Sequence, residues 1–164
     1  MAKQPTTFWT PRRVARMAIF IALAAVGALI KIPSPTGTVA LDSAPGYFSS
    51  VAFGWLEGGI VIALGHILTA ATTGFPLGIP MHLFIAVQMF AWAVVFWLVK
   101  EKVHLWVGVV VATFCNGVLG ATTVIPIGGI GLFTALLPGL VVGSAINIVL
   151  AALAFIIVER SGLI

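Results

Sequence analysis

The chain has 164 residues, of which 61% are hydrophobic and only 7% are charged. Soluble domains carry about 25% charged residues, so this composition excludes a water-soluble protein and indicates an integral membrane protein that forms one domain over residues 1–164. The net charge of +4 does not indicate nucleic-acid binding, because basic residues at the cytoplasmic rim of a helix bundle account for it.

Hydrophobic runs predict an all-α membrane protein with six transmembrane helices after a cytoplasmic lead-in over residues 1–11. The predicted helices cover about 13–30, 44–53, 57–73, 81–99, 105–122 and 134–158. A full crossing needs roughly 20 residues, so the second helix is short. We expect it to begin deeper in the membrane, with the long preceding loop folded into the bundle.

The basic residues predict the orientation of these helices. Threading six spans places seven of the eight Lys and Arg residues on one side, namely Lys3, Arg12, Arg13, Arg16, Lys100, Lys102 and Arg160. Only Lys31 lies opposite. Because short basic segments resist translocation, we predict that both termini are cytoplasmic.

The loops predicted on the outer side are long and contain many Pro, Gly and Thr residues. They cover residues 31–45, 73–80 and 123–133. Irregular backbone at membrane depth is tolerated where it is buried in protein or lines a cavity. We therefore predict a ligand site near the outer leaflet, covered by these loops.

The sequence motifs of several kinds of enzyme and metal site are absent from this chain. The chain has neither a phosphate-binding P-loop nor an H-E-x-x-H metal motif, and Cys115 is its only cysteine. The four acids are Asp42, Glu57, Glu101 and Glu159, and none is predicted mid-membrane to relay protons. We expect neither an enzyme nor a metal or cofactor site.

Small residues recur at helical spacing in three of the predicted spans. They are Ala15, Ala18, Ala22 and Ala25 in the first, Gly108, Ala112, Asn116 and Gly120 in the fifth, and Gly139, Gly143 and Asn147 in the sixth. Such rows let helices approach closely. We expect packing within the bundle in the fifth and sixth spans, whereas the first row could face an outside partner.

Six polar residues are candidates for ligand contacts. They are Asp42, His66, His82, Gln88, Asn116 and Asn147. A polar side chain in hydrocarbon needs a partner, so each should face inward. The alternatives to ligand binding are hydrogen bonds between helices and, for Asp42, a salt bridge to Lys31.

Aromatic residues in the outer half extend this set of candidates. They are Tyr47, Phe48, Phe75, Phe84 and Phe133. Beside neutral polar groups, aromatic side chains suit a flat, heterocyclic and mostly uncharged ligand.

Taken together, the segments resemble the substrate-binding S component of an energy-coupling factor (ECF) vitamin transporter. The resemblance covers nearly the whole chain. It depends on the basic entry Arg12-Arg13-Val14-Ala15-Arg16 into an Ala-rich helix, on the long first loop and short second helix, and on Gly54-Trp55-Leu56-Glu57-Gly58 leading to Gly65-His66. Many members have an acid where this chain has His66.

The resemblance implies a six-helix subunit in a bacterial plasma membrane that binds a vitamin or precursor at its outer face. In such transporters the alanine motif of helix one, here Ala18 and Ala22, docks on a coupling transmembrane subunit, and two partner ATPases use the ATP. The implied partners are therefore the coupling subunit, the two ATPases, the vitamin or precursor, and membrane lipid. The implied ligand contacts lie around Asp42, His82, Gln88, Asn116 and Asn147.

Two loop segments narrow the resemblance to one group. Residues 37–47 and 73–78 look similar to S components assigned to α-ribazole, the nucleoside of the cobalamin lower ligand. That ligand is aromatic and neutral. Two alternatives stay open: an S component for another vitamin, such as pantothenate or riboflavin, and an autonomous small secondary transporter, which would need a coupling-ion acid within the spans.

Overall fold

The computed structural model describes residues 9–164, and this part of the chain forms six helices. They are α1 (Pro11–Gly27), α2 (Ala44–Phe53), α3 (Trp55–Thr72), α4 (Ile79–Lys102), α5 (Leu105–Thr122) and α6 (Ile125–Arg160). The last four are long and apolar enough to cross a membrane. The all-helical prediction is therefore confirmed, whereas six crossings and cytoplasmic termini stay predictions. Lys3 and most of the predicted lead-in lie outside the described residues.

The predicted loop over residues 123–133 is wrong, because α6 already begins at Ile125. Pro126 in the first helical turn does not break the helix, since the amide of a residue at that position needs no partner within the helix. Gly129, with φ 64° and ψ −170°, interrupts the helical geometry three residues after Pro126. The Pro and Gly residues here therefore start and kink a helix instead of forming a loop.

Helix α5 agrees with its predicted bounds but is not regular. Its α-helical part Leu105–Thr113 is followed by a π-helical segment, Phe114–Leu119, and by a last α-helical turn, Gly120–Thr122. A π-helical insertion widens one turn and is often found at functional sites. Here it contains Asn116.

The long α1–α2 loop folds into the bundle, as predicted. The Ile32 amide donates to the Val39 carbonyl at 2.9 Å, and the Leu41 amide donates to the Ile30 carbonyl at 3.1 Å. Lys31 and Ala40 thereby form an isolated antiparallel bridge. These bonds pair the two arms of the loop with each other. In the second arm, Val39, Ala40, Asp42 and Ser43 are buried.

Glycines let neighbouring elements approach closely. A Cβ at Gly58 of α3 would lie 2.3 Å from the Ser50 Cα of α2, and one at Gly139 of α6 would lie 2.7 Å from the Pro33 carbonyl of the α1–α2 loop. In α5, a Cβ at Gly108 would lie 3.1 Å from the Phe96 ring. The predicted packing role of the small residues in the fifth and sixth spans is confirmed at Gly108 and Gly139.

An ionic cluster joins the start of α1 to the start of α3. Arg16 donates from Nε and Nη2 to the Glu57 carboxylate at 2.9 and 2.6 Å, and Arg13 Nε lies 3.1 Å from Glu57 Oε1. Glu57 is only 2% exposed, and the Arg16 guanidinium lies 3.8 Å from the centroid of the Phe53 ring. A buried carboxylate needs such paired donors, so this contact fixes α1 against α3 at one end of the bundle.

Candidate functional site

A cavity lies between the α1–α2 loop and helices α3 to α6. Its polar lining comes from both the loop and the helices: Thr36, Thr38, Asp42, Ser43, His66, Gln88, Asn116, Thr123, Ser144 and Asn147. The remainder is mostly apolar and includes Met89 and Trp92. A concave, mainly apolar surface with a few polar groups is typical of a small-molecule site.

The structure brings together five of the eight predicted substrate-binding residues. Asp42, His66, Gln88, Asn116 and Asn147 line the cavity, although they come from one loop and four helices. Whether they bind a ligand stays a prediction. Their convergence follows from the need of each polar side chain to face the interior of the bundle.

The other three predicted residues do not line the cavity. Tyr47 lies in the hydrophobic core, with its ring 5.7 Å from that of Phe96. Phe75 packs edge-on against His82 at 5.7 Å, and His82 itself is fully buried behind His66. Tyr47 and Phe75 therefore pack against other side chains, and His82 reaches the cavity only through a neighbour.

Asn147 uses its whole amide to hold the α1–α2 loop. Its Oδ1 accepts from the Ser43 and Ala44 amides at 3.1 and 2.8 Å, and its Nδ2 donates to the Ala40 and Gly143 carbonyls, both at 2.8 Å. A carboxamide has two donors and two acceptor positions, so this side chain is saturated. It caps the start of α2 and positions the loop residues at the cavity.

Asn116 keeps hydrogen-bonding capacity. Its Nδ2 donates to Ser144 Oγ of α6 at 2.8 Å, which fulfils the expected bond between helices. Its Oδ1 has no hydrogen-bond partner among residues 9–164. Because Asn116 also lines the cavity, the side chain can link two helices and still accept from a ligand.

Asp42 lies in the α1–α2 loop, 5% exposed, and its carboxylate accepts from Thr69 Oγ1 of α3. Burial raises the pKa of Asp42 to about 6, against the opposing effect of the Thr69 hydrogen bond. The alternative of a salt bridge to Lys31 is not observed, since Lys31 Nζ instead lies 3.5 Å from Thr72 Oγ1. Asp42 can thus present either an acceptor or a donor to the cavity near pH 6.

The indole of Trp92 is the main feature that sequence reasoning missed. Trp92 lines the cavity, and its Nε1 is buried without a hydrogen-bond partner in the described part of the chain. The aromatic residues that we expected in this role, Phe48, Phe84 and Phe133 as well as Tyr47 and Phe75, lie elsewhere. The available signal was the spacing of Trp92, one helical turn after Gln88, which puts both on one face of α4.

Three of the four alanines in the row of α1 face away from the bundle, and the fourth, Ala25, is half-buried. Ala15, Ala18 and Ala22 are exposed, whereas Ala24 is completely buried against the neighbouring helices. Exposed apolar residues on the same helix, Ile19, Leu23 and Val26, extend this surface. The surface consists of small and apolar side chains, as a close contact between membrane helices requires.

A family model described as "ECF transporter, substrate-specific component" matches residues 12–159 of the chain. No curated protein and no solved structure matches the chain. The match covers all of α2 to α5 and nearly all of α1 and α6, including every residue that lines the cavity. It describes a binding subunit of a membrane transporter, not an enzyme, with a small-molecule substrate and ECF partner subunits. The chain therefore belongs to the family of ECF transporter substrate-specific components.

Proposed function

We propose that this chain captures α-ribazole in the cavity between the α1–α2 loop and helices α3 to α6, and delivers it to an ECF coupling subunit and two ATPases. The observation that carries the proposal is the chemistry of the cavity lining. Among the lining residues, one carboxyl group, Asp42, is accompanied by neutral hydroxyl, amide and imidazole groups. A neutral nucleoside needs this kind of surface.

The two halves of α-ribazole match different parts of the lining. A benzimidazole ring can stack on or pack against Trp92 and Met89, which are both on α4. Ribose hydroxyls can donate to Asp42 and Asn116 Oδ1 and accept from Thr36 and Thr38. The lining contains no Lys or Arg, which disfavours an anionic vitamin such as pantothenate.

Thermal unfolding of the purified chain in detergent tests this function. We expect α-ribazole at 100 times its Kd to stabilise the protein by roughly 2.7 kcal/mol, with no comparable effect of cobalamin, riboflavin, thiamine or pantothenate. Stabilisation by riboflavin or pantothenate alone would support an S component with a different vitamin. Transport of the ligand by the isolated chain in vesicles, without partner subunits or ATP, would instead support the autonomous transporter.

A further inference from the structure

Two histidines of adjacent helices form a hydrogen-bonded pair at the edge of the cavity. His66 Nε2 of α3 lies 3.2 Å from His82 Nδ1 of α4, with the ring centroids 5.3 Å apart. The other nitrogen of His82, Nε2, accepts from the backbone amide of Leu77 at 3.4 Å. Leu77 belongs to the α3–α4 loop and also lines the cavity. A continuous chain of hydrogen bonds therefore runs from this loop through His82 to His66.

The amide of Leu77 sets the direction of this chain. A backbone N–H can only donate, so His82 Nε2 must be an unprotonated acceptor. The single ring proton of His82 is then on Nδ1 and is donated to His66 Nε2. His66 Nε2 is therefore also an acceptor, and the proton of His66 is on Nδ1.

The same geometry excludes a positive charge on either ring. A charged His82 would point its Nε2–H at the Leu77 N–H, and a charged His66 would point its Nε2–H at the His82 Nδ1–H. Both arrangements place two donors against each other. Within residues 9–164, no carboxylate is hydrogen-bonded to either ring to compensate for such a charge.

We infer that the Leu77–His82–His66 chain fixes His66 Nδ1–H as a neutral hydrogen-bond donor for the ligand. His66 lines the cavity, and its Nδ1 has no partner in the described part of the chain. Trp92 adds a second N–H that cannot switch to an acceptor. This inference builds on the proposed binding function and narrows the substrate class: the ligand presents a lone pair, such as an unprotonated ring nitrogen or a carbonyl oxygen, to His66.

The chain also makes the α3–α4 loop part of the recognition. Phe75 has a positive φ of 53°, and Gly74 and Gly78 flank it with φ values of 74° and 81°. This backbone path brings the Leu77 amide to His82 while Leu77 itself lines the cavity. A ligand acceptor on His66 polarises both upstream bonds, so it strengthens the attachment of this loop.

Nitrogen NMR of the histidines tests the direction of the chain without any ligand. The protein is labelled with ¹⁵N-histidine in lipid nanodiscs, and His66→Gln and His82→Gln assign the signals, with exposed His104 as the remaining reference. We expect both His66 and His82 to be neutral and protonated on Nδ1 at pH 7. An Nε2–H signal for His82, or an imidazolium at either position, would overturn the inference whether or not α-ribazole binds.

Two substitutions separate the two nitrogens of His66 in binding measurements with α-ribazole. In His66→Asn the side-chain amide can replace Nδ1, whereas in His66→Gln it can replace Nε2 and leaves the ligand without its donor. We expect His66→Gln to weaken binding roughly tenfold more than His66→Asn, because it removes one hydrogen bond to the ligand. Equal affinities of the two variants would contradict a donor role for Nδ1.

An analogue distinguishes this result from a failure of the proposed function. The indole counterpart of α-ribazole has a C–H in place of the acceptor ring nitrogen. The wild-type protein should prefer α-ribazole to this analogue roughly tenfold, and His66→Gln should lose that preference. If both compounds bind equally to the wild-type protein, the acceptor requirement is wrong although the binding function stands. If neither binds, the proposed ligand is wrong, and the NMR result alone decides on the hydrogen-bond chain.

Discussion

At the scale of single residues, the polar side chains at the cavity differ in how much of their hydrogen-bonding capacity the fold already uses. Asn147 is saturated by four bonds, whereas Asn116 Oδ1, His66 Nδ1 and Trp92 Nε1 have none among the described residues. Sequence reasoning could predict that Asn116, Asn147 and His66 face inward, because hydrocarbon excludes them. It could not predict which of them is saturated, since three of the four partners of Asn147 are backbone groups more than a hundred residues away.

The stability of the ligand-free protein should depend on the ionisation of Asp42. Its pKa is 3.8 in the unfolded chain and about 6 in the folded protein, so stability is present below pH 3.8 and is lost as the pH rises through 6. Asp42→Asn still accepts from Thr69 but does not ionise. From pH 4 to pH 7, we expect the wild-type protein to lose up to about 3 kcal/mol relative to this variant in thermal unfolding.

The matched control for this measurement is Glu101→Gln, which neutralises an exposed carboxylate. It should leave the pH profile of the wild-type protein unchanged. Parallel profiles of the wild-type protein and Asp42→Asn would show that the Asp42 carboxyl group has the same proton affinity in the folded and unfolded states.

At the scale of helices, the predicted bounds were correct where an apolar run ends at a residue that is compatible with only one kind of local structure. Helix α2 has Pro45 in its first turn and ends just before Gly54, whose φ of 116° most residues cannot adopt. The start of α6 was mispredicted because Pro126 and Gly129 fit a loop and a kinked helix equally well in local sequence.

The exposed alanine row of α1 predicts how bulky substitutions affect assembly. Ala18→Trp and Ala22→Trp should prevent co-purification with the coupling subunit and ATPases, because a large side chain stops close helix approach. Both side chains face away from the bundle, so thermal stabilisation by ligand should be retained. Pull-down from membranes containing all the subunits, with the ligand assay in parallel, measures both effects.

Val87→Trp provides the comparison for these variants. Val87 of α4 is 69% exposed, so tryptophan there tests a general effect of a bulky residue at the lipid surface. We expect normal co-purification for Val87→Trp. If the two alanine variants also co-purify like the wild-type protein, α1 does not provide the docking surface.

At the scale of the whole molecule, charge and irregular backbone are segregated to opposite ends. Arg16 and Glu57 join α1 and α3 at one end, and Lys100 and Lys102 lie in the last turn of α4. At the other end, the α1–α2 and α3–α4 loops meet at the cavity. The sequence could predict this polarity from the distribution of Lys and Arg, but the shape of the cavity depends on how the α1–α2 loop folds back, which composition does not determine.

Accessibility of single cysteines in intact cells tests the orientation of this polarity. With Cys115 replaced by Ala, Pro76→Cys in the α3–α4 loop should react with a membrane-impermeant maleimide in intact cells, since basic segments stay cytoplasmic. Lys102→Cys and Ser161→Cys should react only after permeabilisation. Labelling of Lys102→Cys but not Pro76→Cys in intact cells would show that the orientation is the reverse. Opposite behaviour of Lys102→Cys and Ser161→Cys would show that an odd number of crossings separates these two positions.

The length of α6 has a consequence for the surrounding bilayer. Its 36 residues would extend roughly 54 Å if straight, whereas the hydrocarbon core is roughly 30 Å thick. Such hydrophobic mismatch is relieved by tilting, by kinking or by local thickening of the lipid, and the break at Gly129 supplies one kink. The tilt of α6, and with it the angle of the cavity to the membrane surface, should therefore change with the acyl-chain length of the lipids around the protein.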